Sequence, residues 1–184
     1  MPDPNVVYGT EQNETLYGSL GEDIIYGGDG DDSINAGGGN DILIGGAGND
    51  VLNGSSGADV YRFSAGFGND SIYGYDEGVV AGDIIEFDGS ISKSDVRMEK
   101  SGWDLIITIE GMPGNSIRVE NWQRWNFDGE RAGIRFGDGT FWGRMAMIDQ
   151  MNQPSTGADA INGGGGDDYR WMDRRRRWGW WRRR

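Results

Sequence analysis

A nine-residue repeat near the start of the chain constrains what it can fold into more than any other feature. Gly stands at positions one and four with a single Ala exception, Asp stands at position six, and an apolar or aromatic residue stands at position eight. The five copies in register are GSLGEDIIY (18–26), GGDGDDSIN (27–35), AGGGNDILI (36–44), GGAGNDVLN (45–53) and GSSGADVYR (54–62). A fixed period of this kind predicts a solenoid in which each repeat packs on its neighbours.

Each column of the repeat has a physical role. Positions seven to nine are long enough for a three-residue strand whose middle side chain points inward, and the other six residues turn the chain. Repeated Gly permits a positive φ and close stacking of successive turns. The inward column is Ile25, Ile34, Leu43, Leu52 and Tyr61. Because one coil cannot bury a core alone, several must stack.

The Asp column has the chemistry of a hard-cation site. It comprises Asp23, Asp32, Asp41, Asp50 and Asp59, and a shifted copy, GFGNDSI (66–72), adds Asp70. A weaker copy, GTEQNETLY (9–17), places Glu14 in the same column without the neighbouring Gly residues. Carboxylates beside outward-facing backbone carbonyls form the all-oxygen ligand set that Ca²⁺ accepts. Gly/Asp-rich sequence is also typical of turns and disordered linkers, but an uninterrupted register with an apolar column favours the stacked fold.

The pattern GGxGxDxUx over residues 9–73 resembles the RTX, or haemolysin-type calcium-binding, nonapeptide. This resemblance implies a right-handed parallel β-roll in which Ca²⁺ lies between stacked turns, held by position-six Asp and backbone carbonyls from repeats two apart. Carried onto this chain, it pairs Asp23 with Asp41, Asp32 with Asp50, Asp41 with Asp59 and, across a break at 63–65, Asp50 with Asp70. The metal-site residues expected from it are Gly18, Asp23, Gly27, Gly30, Asp32, Gly37, Gly39, Asp41, Gly45, Gly48, Asp50, Gly57, Asp59 and Asp70.

Composition narrows the possible functions. The chain has no Cys and no His, so disulfides, His/Cys zinc sites and His-dependent triads are excluded. Residues 169–184 contain eight Arg and one Asp, a net charge of +7; the chain as a whole carries −13, and residues 1–168 therefore carry −20. This excess repels nucleic acid and attracts cations. No apolar run reaches the roughly 20 residues of a membrane span, and no carboxylate pair stands out as catalytic, so we expect a protein that is not an enzyme.

Residues 74–151 lose the period and predict a β-rich cap that covers the open end of the roll. The expected strands are Asp83–Phe87, Val96–Lys100, Trp103–Glu110, Ser116–Glu120, Ile134–Phe136 and Thr140–Trp142, followed by a short helix at Arg144–Met151. Met145, Ile148 and Met151 share one face of that helix. The region resembles, more loosely, the cap that follows RTX blocks. Its Trp side chains either fill a core or present a platform for sugar rings.

The two ends of the chain complete the predicted organisation. Residues 1–8 are an N-terminal extension, 9–73 the β-roll, 74–151 the cap, and 152–168 the start of a second repeat block with Asp159 and Asp168 at position six. Residues 169–184 are an Arg/Trp tail that we expect to be disordered; it contains the segment RRRRWGWWRRR, which a Gly-rich repeat would also give if read out of frame.

The resemblance implies an extracellular module, exported by a type I system, that folds on binding Ca²⁺ and supports a secreted protein. The absence of a basic, apolar leader at the N-terminus agrees with that route. Two alternatives stay open. The cap aromatics could bind polysaccharide or a cell surface in a calcium-dependent manner, or the chain could be the accessory domain of a secreted enzyme whose catalytic part is absent.

Overall fold

The fold is an all-β roll with one short helix, seen in a computed structural model that describes residues 3–73, 82–122 and 132–152. The elements within these ranges are β1 (Asn5–Tyr8), β2 (Thr15–Tyr17), β3 (Asp23–Asp29), β4 (Ser33–Asn35), β5 (Ile42–Ala47), β6 (Val51–Asn53), β7 (Val60–Phe63), β8 (Asn69–Tyr73), β9 (Ile84–Phe87), β10 (Val96–Ser101), β11 (Asp104–Ile109), β12 (Ser116–Glu120), β13 (Gly133–Phe136), β14 (Phe141–Gly143) and α1 (Arg144–Met151).

Successive repeats alternate between two sheets. Sheet A has the strand order β1-β3-β5-β7-β9-β13-β14, and sheet B has the order β10-β11-β12-β8-β6-β4-β2. Strands of the repeat block pair in parallel with the strand two repeats away, so that Ile25 faces Leu43 in sheet A and Ile34 faces Leu52 in sheet B. One coil of the roll is therefore two repeats, and the predicted parallel β-roll with a C-terminal helix is confirmed.

The core lies between the two sheets and is built from the position-eight column. All five predicted inward side chains are at most 1% exposed. The next coil continues the column with Ile72 on sheet B and Ile85 on sheet A, both equally buried. The period-two alternation of each three-residue strand explains this placement, because only its middle side chain can point between the sheets.

Strands after the repeats extend the same two sheets. In sheet A, β9 pairs in parallel with β7 and with β13, and β14 closes the edge antiparallel to β13. In sheet B, β12 pairs in parallel with β8, while β11 and β10 add antiparallel strands. The six predicted cap strands form within one residue of the expected ends. The proposed boundary between roll and cap stays a prediction, since both sides share continuous sheets.

Helix α1 covers the end of the roll between the edge strands of the two sheets, in contact with β10 and β14. Its bounds agree with those expected, but its buried face differs. Met147 is buried, with Ile148 and Met151 packed beside it, whereas Met145 is 70% exposed. With 3.6 residues per turn, Met147, Ile148 and Met151 share one side of the helix and Met145 lies beyond its edge, so the buried face is rotated toward Met147. No helix in the part of the chain that the structure describes is long and apolar enough to cross a membrane.

The remaining predictions concern residues outside the described ranges. The chain divides into the units Met1–Gln153 and Pro154–Arg184. The second unit contains nearly all of the predicted second repeat block and the whole Arg/Trp tail, and none of its residues is described. Trp125 also lies outside the described residues, and the limits of the second block and of the tail stay predictions.

Candidate metal centre

The position-six carboxylates are buried, although each stands at the start of a strand beside a turn. None is more than 2% exposed; the set is Asp23, Asp32, Asp41, Asp50, Asp59 and Asp70. Asp is seldom fully buried unless its charge is paired, because removing a carboxylate from water is costly. Each carboxylate of the Asp column therefore needs hydrogen-bond donors or a cation that compensate for its buried charge.

One oxygen of five of the six carboxylates is held by the backbone of the coil before it, whereas Oδ1 of Asp23 accepts from the side-chain amide of Asn5. The N–H of one Asp donates to Oδ1 of the Asp two repeats later, so the column forms two ladders, one at the edge of each sheet. The bonds are Asp23 to Asp41 at 2.8 Å, Asp32 to Asp50 at 2.8 Å, Asp41 to Asp59 at 2.9 Å and Asp50 to Asp70 at 2.8 Å. These are the four pairs that the RTX resemblance implied.

The break at residues 63–65 does not interrupt the ladder. Asp70 lies 20 residues after Asp50, rather than 18, yet it accepts the Asp50 N–H in the same geometry. The two extra residues lie at the turn around Ala65–Gly66, where Gly66 adopts φ 93. The turn absorbs the insertion before the strand register resumes at Asn69.

The second oxygen has no such partner at four members of the column. Oδ2 is buried and accepts no hydrogen bond in Asp32, Asp41, Asp50 and Asp70. An ionised oxygen in that state costs several kcal/mol unless a cation meets it. These four Oδ2 atoms fit a metal ion, because each is a hard oxygen donor with a lone pair that no hydrogen bond uses.

Glycines at position one form the wall of several carboxylate sites. A Cβ on Gly27 would lie 2.5 Å from Asp32 Oδ2, and one on Gly45 would lie 2.2 Å from Asp50 Oδ2. Gly18 stands in the same relation to Asp23, at 2.7 Å. Gly at position one of these three repeats keeps open the space in front of the carboxylate, and Ala36, ahead of Asp41, is the one residue at that position of the five repeats with a side chain.

Other glycines bring the backbone of one coil against the carbonyls of another. Gly46 adopts φ 111, and a Cβ there would lie 1.8 Å from the carbonyl oxygen of Gly28, two repeats earlier. The same left-handed conformation and the same close approach to the preceding coil occur at Gly30, Gly37, Gly39, Gly48 and Gly57. The predicted glycines thus stack carbonyl groups beside the Asp column.

Burial makes these carboxyls hard to ionise without a cation. Desolvation raises the pKa of Asp41 and of Asp50 to about 6 and the pKa of Asp70 to about 8; the pKa of Asp32 is raised by the same cause. The N–H from the preceding coil lowers each pKa, but neighbouring carboxylates raise it further. A bound cation would supply the missing positive charge and keep the column ionised.

The carboxylates alone do not form a complete cage. Among residues 3–73, 82–122 and 132–152, no three Asp or Glu side chains come together as a metal cluster. A cation at the column therefore needs backbone oxygens as well, which the stacked glycine turns offer. Ca²⁺ accepts six to eight oxygens, including carbonyls, in irregular geometry, so the donor set suits it.

Sequence reasoning missed one member of the column and left another open. Asp83 accepts the Asp59 N–H through Oδ1 at 3.0 Å, in the register of the ladder, although it follows the last repeat. Its spacing to Ile85, two residues on, matches the spacing in the repeats and is the signal that could have found it. Glu14 donates its N–H to Asp32 Oδ1 at 2.9 Å and thus begins the sheet B ladder.

Comparison with known proteins identifies the repeat and one solved structure that is similar to the chain. The model of the RTX calcium-binding nonapeptide repeat matches four segments, at residues 8–43, 35–66, 62–76 and 155–169. Among solved structures, the chain is similar to the solution structure of the AlgE6R3 subunit from the Azotobacter vinelandii mannuronan C5-epimerase, with 21% identity, a TM-score of 0.49, and coverage of 89% of this chain and 93% of that one. No curated protein matches the chain.

RTX nonapeptides are calcium-binding motifs, and the ladder of buried carboxylates lies within the matched segments. The chain therefore carries the RTX calcium-binding nonapeptide repeat over residues 8–76 and 155–169, and the first of these blocks folds as a β-roll within residues 8–73.

Proposed function

We propose that this chain is an extracellular calcium-dependent module whose roll folds when Ca²⁺ binds to the Asp column. The observation that carries the proposal is the set of buried Oδ2 atoms without a hydrogen-bond partner in Asp32, Asp41, Asp50 and Asp70. Without a cation these atoms oppose folding, and with one they become ligands. Binding and folding are then one process, as in other small metal-dependent domains.

The apolar core is too thin to hold the roll against this charge. Each repeat contributes one fully buried side chain, such as Leu43 or Leu52, while it also buries one carboxylate. Like charges along a ladder repel by about 1 kcal/mol per pair at 4 Å even in water, and by more where water is excluded. Stacking of the coils therefore depends on Ca²⁺ binding.

We assign the ligands by the same logic. The Oδ2 atoms of Asp32, Asp41, Asp50 and Asp70 bind the ions, and Asp59 occupies the equivalent place between Asp41 and Asp83 in the sheet A ladder. The expected glycines contribute space and backbone oxygens rather than side chains.

Calcium-dependent folding suits a protein that is exported before it folds. Cytosolic calcium is too low to fill such sites, and many external habitats supply it at higher concentration, so export by a type I system would keep the roll unfolded until it leaves the cell. In this role the module supports a secreted protein and performs no catalysis itself. Detection of the native protein in the culture medium, against its absence from an exporter-deficient strain, tests the localisation.

A calorimetric calcium titration of the whole chain tests the ligand assignment. The double variant Asp41→Asn, Asp50→Asn removes two charges but keeps the side-chain shape, and we expect it to bind fewer ions than the unaltered chain. Asp149→Asn changes the charge of an exposed residue on α1 and is the matched control. Equal numbers of bound ions in the double variant and the control would refute the assignment.

The alternative role in binding polysaccharide or a cell surface depends on the cap aromatics. Trp122 is 5% exposed and belongs to the core, and Trp142 packs edge-on against Phe136 with ring centroids 4.7 Å apart. Trp103, by contrast, is 68% exposed at the turn between β10 and β11. A glycan array with the chain and with Trp103→Ala, each with and without calcium, tests this role. Binding that survives the substitution would exclude Trp103 as the platform.

A further inference from the structure

We propose that Asp23 closes the N-terminal coil of the roll through hydrogen bonds and does not bind Ca²⁺. This inference rests on the proposed function of the other position-six residues. It separates one member of the Asp column from its neighbours, although the repeat pattern makes all of them look equivalent.

Both oxygens of Asp23 already have donors. The side-chain amide of Asn5 donates to Oδ1 at 2.7 Å. Ser19 donates twice to Oδ2, from its backbone N–H at 2.6 Å and from its hydroxyl at 2.9 Å. Three donors around one carboxylate, itself 1% exposed, satisfy its charge without a metal.

The donors at Asp23 arise from sequence differences in the first coil. Asn5 occupies the place that an Asp holds in later coils, since it pairs with Asp23 in the register of β1 and β3. It brings an amide donor to a place where a carboxylate would add negative charge. The N-terminal end of the sheet A ladder is thus closed by a neutral side chain.

Ser19 stands at position two of its repeat, where the three following repeats have Gly. Those glycines are left-handed, with φ 113 at Gly28, 97 at Gly37 and 111 at Gly46. Ser19 is not among the left-handed residues, and its N–H turns toward the carboxylate four residues later. The backbone conformation at position two therefore selects whether Oδ2 is hydrogen-bonded or left open for a cation.

Ser55 shows that a serine at position two is not sufficient for this closure. It is left-handed, with φ 63, and its hydroxyl bonds the side chains of Asn35 and Asn53 at 3.2 and 3.3 Å. Ser19 and Ser55 thus occupy the same position in the repeat with different backbone conformations, which makes Ser55 a matched control.

The number of calcium ions bound per chain tests the inference. We expect Asp23→Asn to bind as many ions at saturation as the unaltered chain, measured by equilibrium dialysis against radioactive calcium, whereas Asp50→Asn loses at least one. We also expect Ser19→Gly to gain one ion, because the carboxylate then loses the hydroxyl and the position-two backbone can turn left-handed. Ser55→Gly leaves the number unchanged.

Two results would overturn the inference. The first is that Asp23→Asn binds one ion fewer than the unaltered chain. The second is that Ser19→Gly binds the same number of ions as the unaltered chain. The Ser19→Gly measurement tests the inference even if Asp23→Asn does not fold. Either result leaves the proposed function intact, provided that Asp50→Asn still loses an ion. If the unaltered chain binds no calcium at all, the proposed function itself fails and the inference fails with it.

Discussion

Acid should partly replace calcium in folding the roll, because protonation removes the same buried charges that a cation would neutralise. Burial raises the pKa of Asp41 and of Asp50 from 3.8 to about 6. At about 1.4 kcal/mol per unit of pKa, each ionised carboxylate costs the metal-free roll about 3 kcal/mol above pH 6. The two together cost about 6 kcal/mol, comparable with the whole stability of a typical domain, about 5–15 kcal/mol.

The direction of the effect follows from the raised pKa values. A carboxyl whose pKa is higher in the folded state favours folding below its unfolded pKa, near 4, and this contribution disappears as the pH rises through the folded pKa. For Asp41 and Asp50 the window is from about pH 4 to about pH 6, and Asp70, with a pKa of about 8, extends it upward. We therefore expect the metal-free roll to be more stable at pH 4.5 than at pH 8.

Far-ultraviolet circular dichroism and thermal melting in calcium-free buffer across this pH range measure the effect. The variant Asp41→Asn, Asp50→Asn is the control, since its neutral side chains should flatten the pH dependence between 4.5 and 6. In saturating calcium the order reverses, because protons compete with the ion for the carboxylates. A metal-free roll whose stability falls steadily on acidification from pH 8 to pH 4.5 would refute the reasoning.

Three further predictions follow from particular contacts. Gly45→Ala places a Cβ 2.2 Å from Asp50 Oδ2 and should raise the midpoint of the calcium titration severalfold. Gly89→Ala is the control, because its Cβ meets no atom within 4 Å and should leave the midpoint unchanged. Equal midpoints for the two variants would contradict the role of position one. Met147→Ala should destabilise the calcium-bound chain by about 2–5 kcal/mol in urea unfolding, against less than about 0.5 kcal/mol for the exposed Met145→Ala; similar losses would show that α1 does not cap the core. Asp41→Ala should weaken calcium-induced folding more than Asp23→Ala, and equal titration midpoints would count against this difference between the two carboxylates.

The repeat block could be predicted from the sequence because every coil repeats the same local residue pattern and therefore the same local structure. Position-eight burial follows from the nine-residue period itself, whereas the parallel roll and the Asp–Asp pairs two repeats apart were implied by the RTX resemblance. The period also explains why Asp50 could be paired with Asp70, since a turn tolerates two added residues without moving the strands.

The features that sequence reasoning missed are those in which the period fails. Asp83 follows Asp59 by 24 residues rather than 18, so the nine-residue period does not reach it, and its spacing to Ile85 is the one sequence signal that it continues the ladder. The hydrogen bonds of Asp23 depend on backbone conformation at Ser19, which composition does not reveal. The buried face of α1 depends on two strand edges that are distant in sequence.

A calcium titration of the whole chain, followed by circular dichroism with a parallel magnesium titration, tests the central claim most directly. The Asp column and the stacked carbonyls offer many oxygens at spacings fixed by the sheets, which Ca²⁺ accepts and which the tight octahedron of Mg²⁺ does not. We expect millimolar calcium to produce the β-sheet spectrum cooperatively from a disordered metal-free state, and magnesium at the same concentration to leave that state unchanged. Identical spectra in chelator and in excess calcium, or the same midpoint with either ion, would contradict the account.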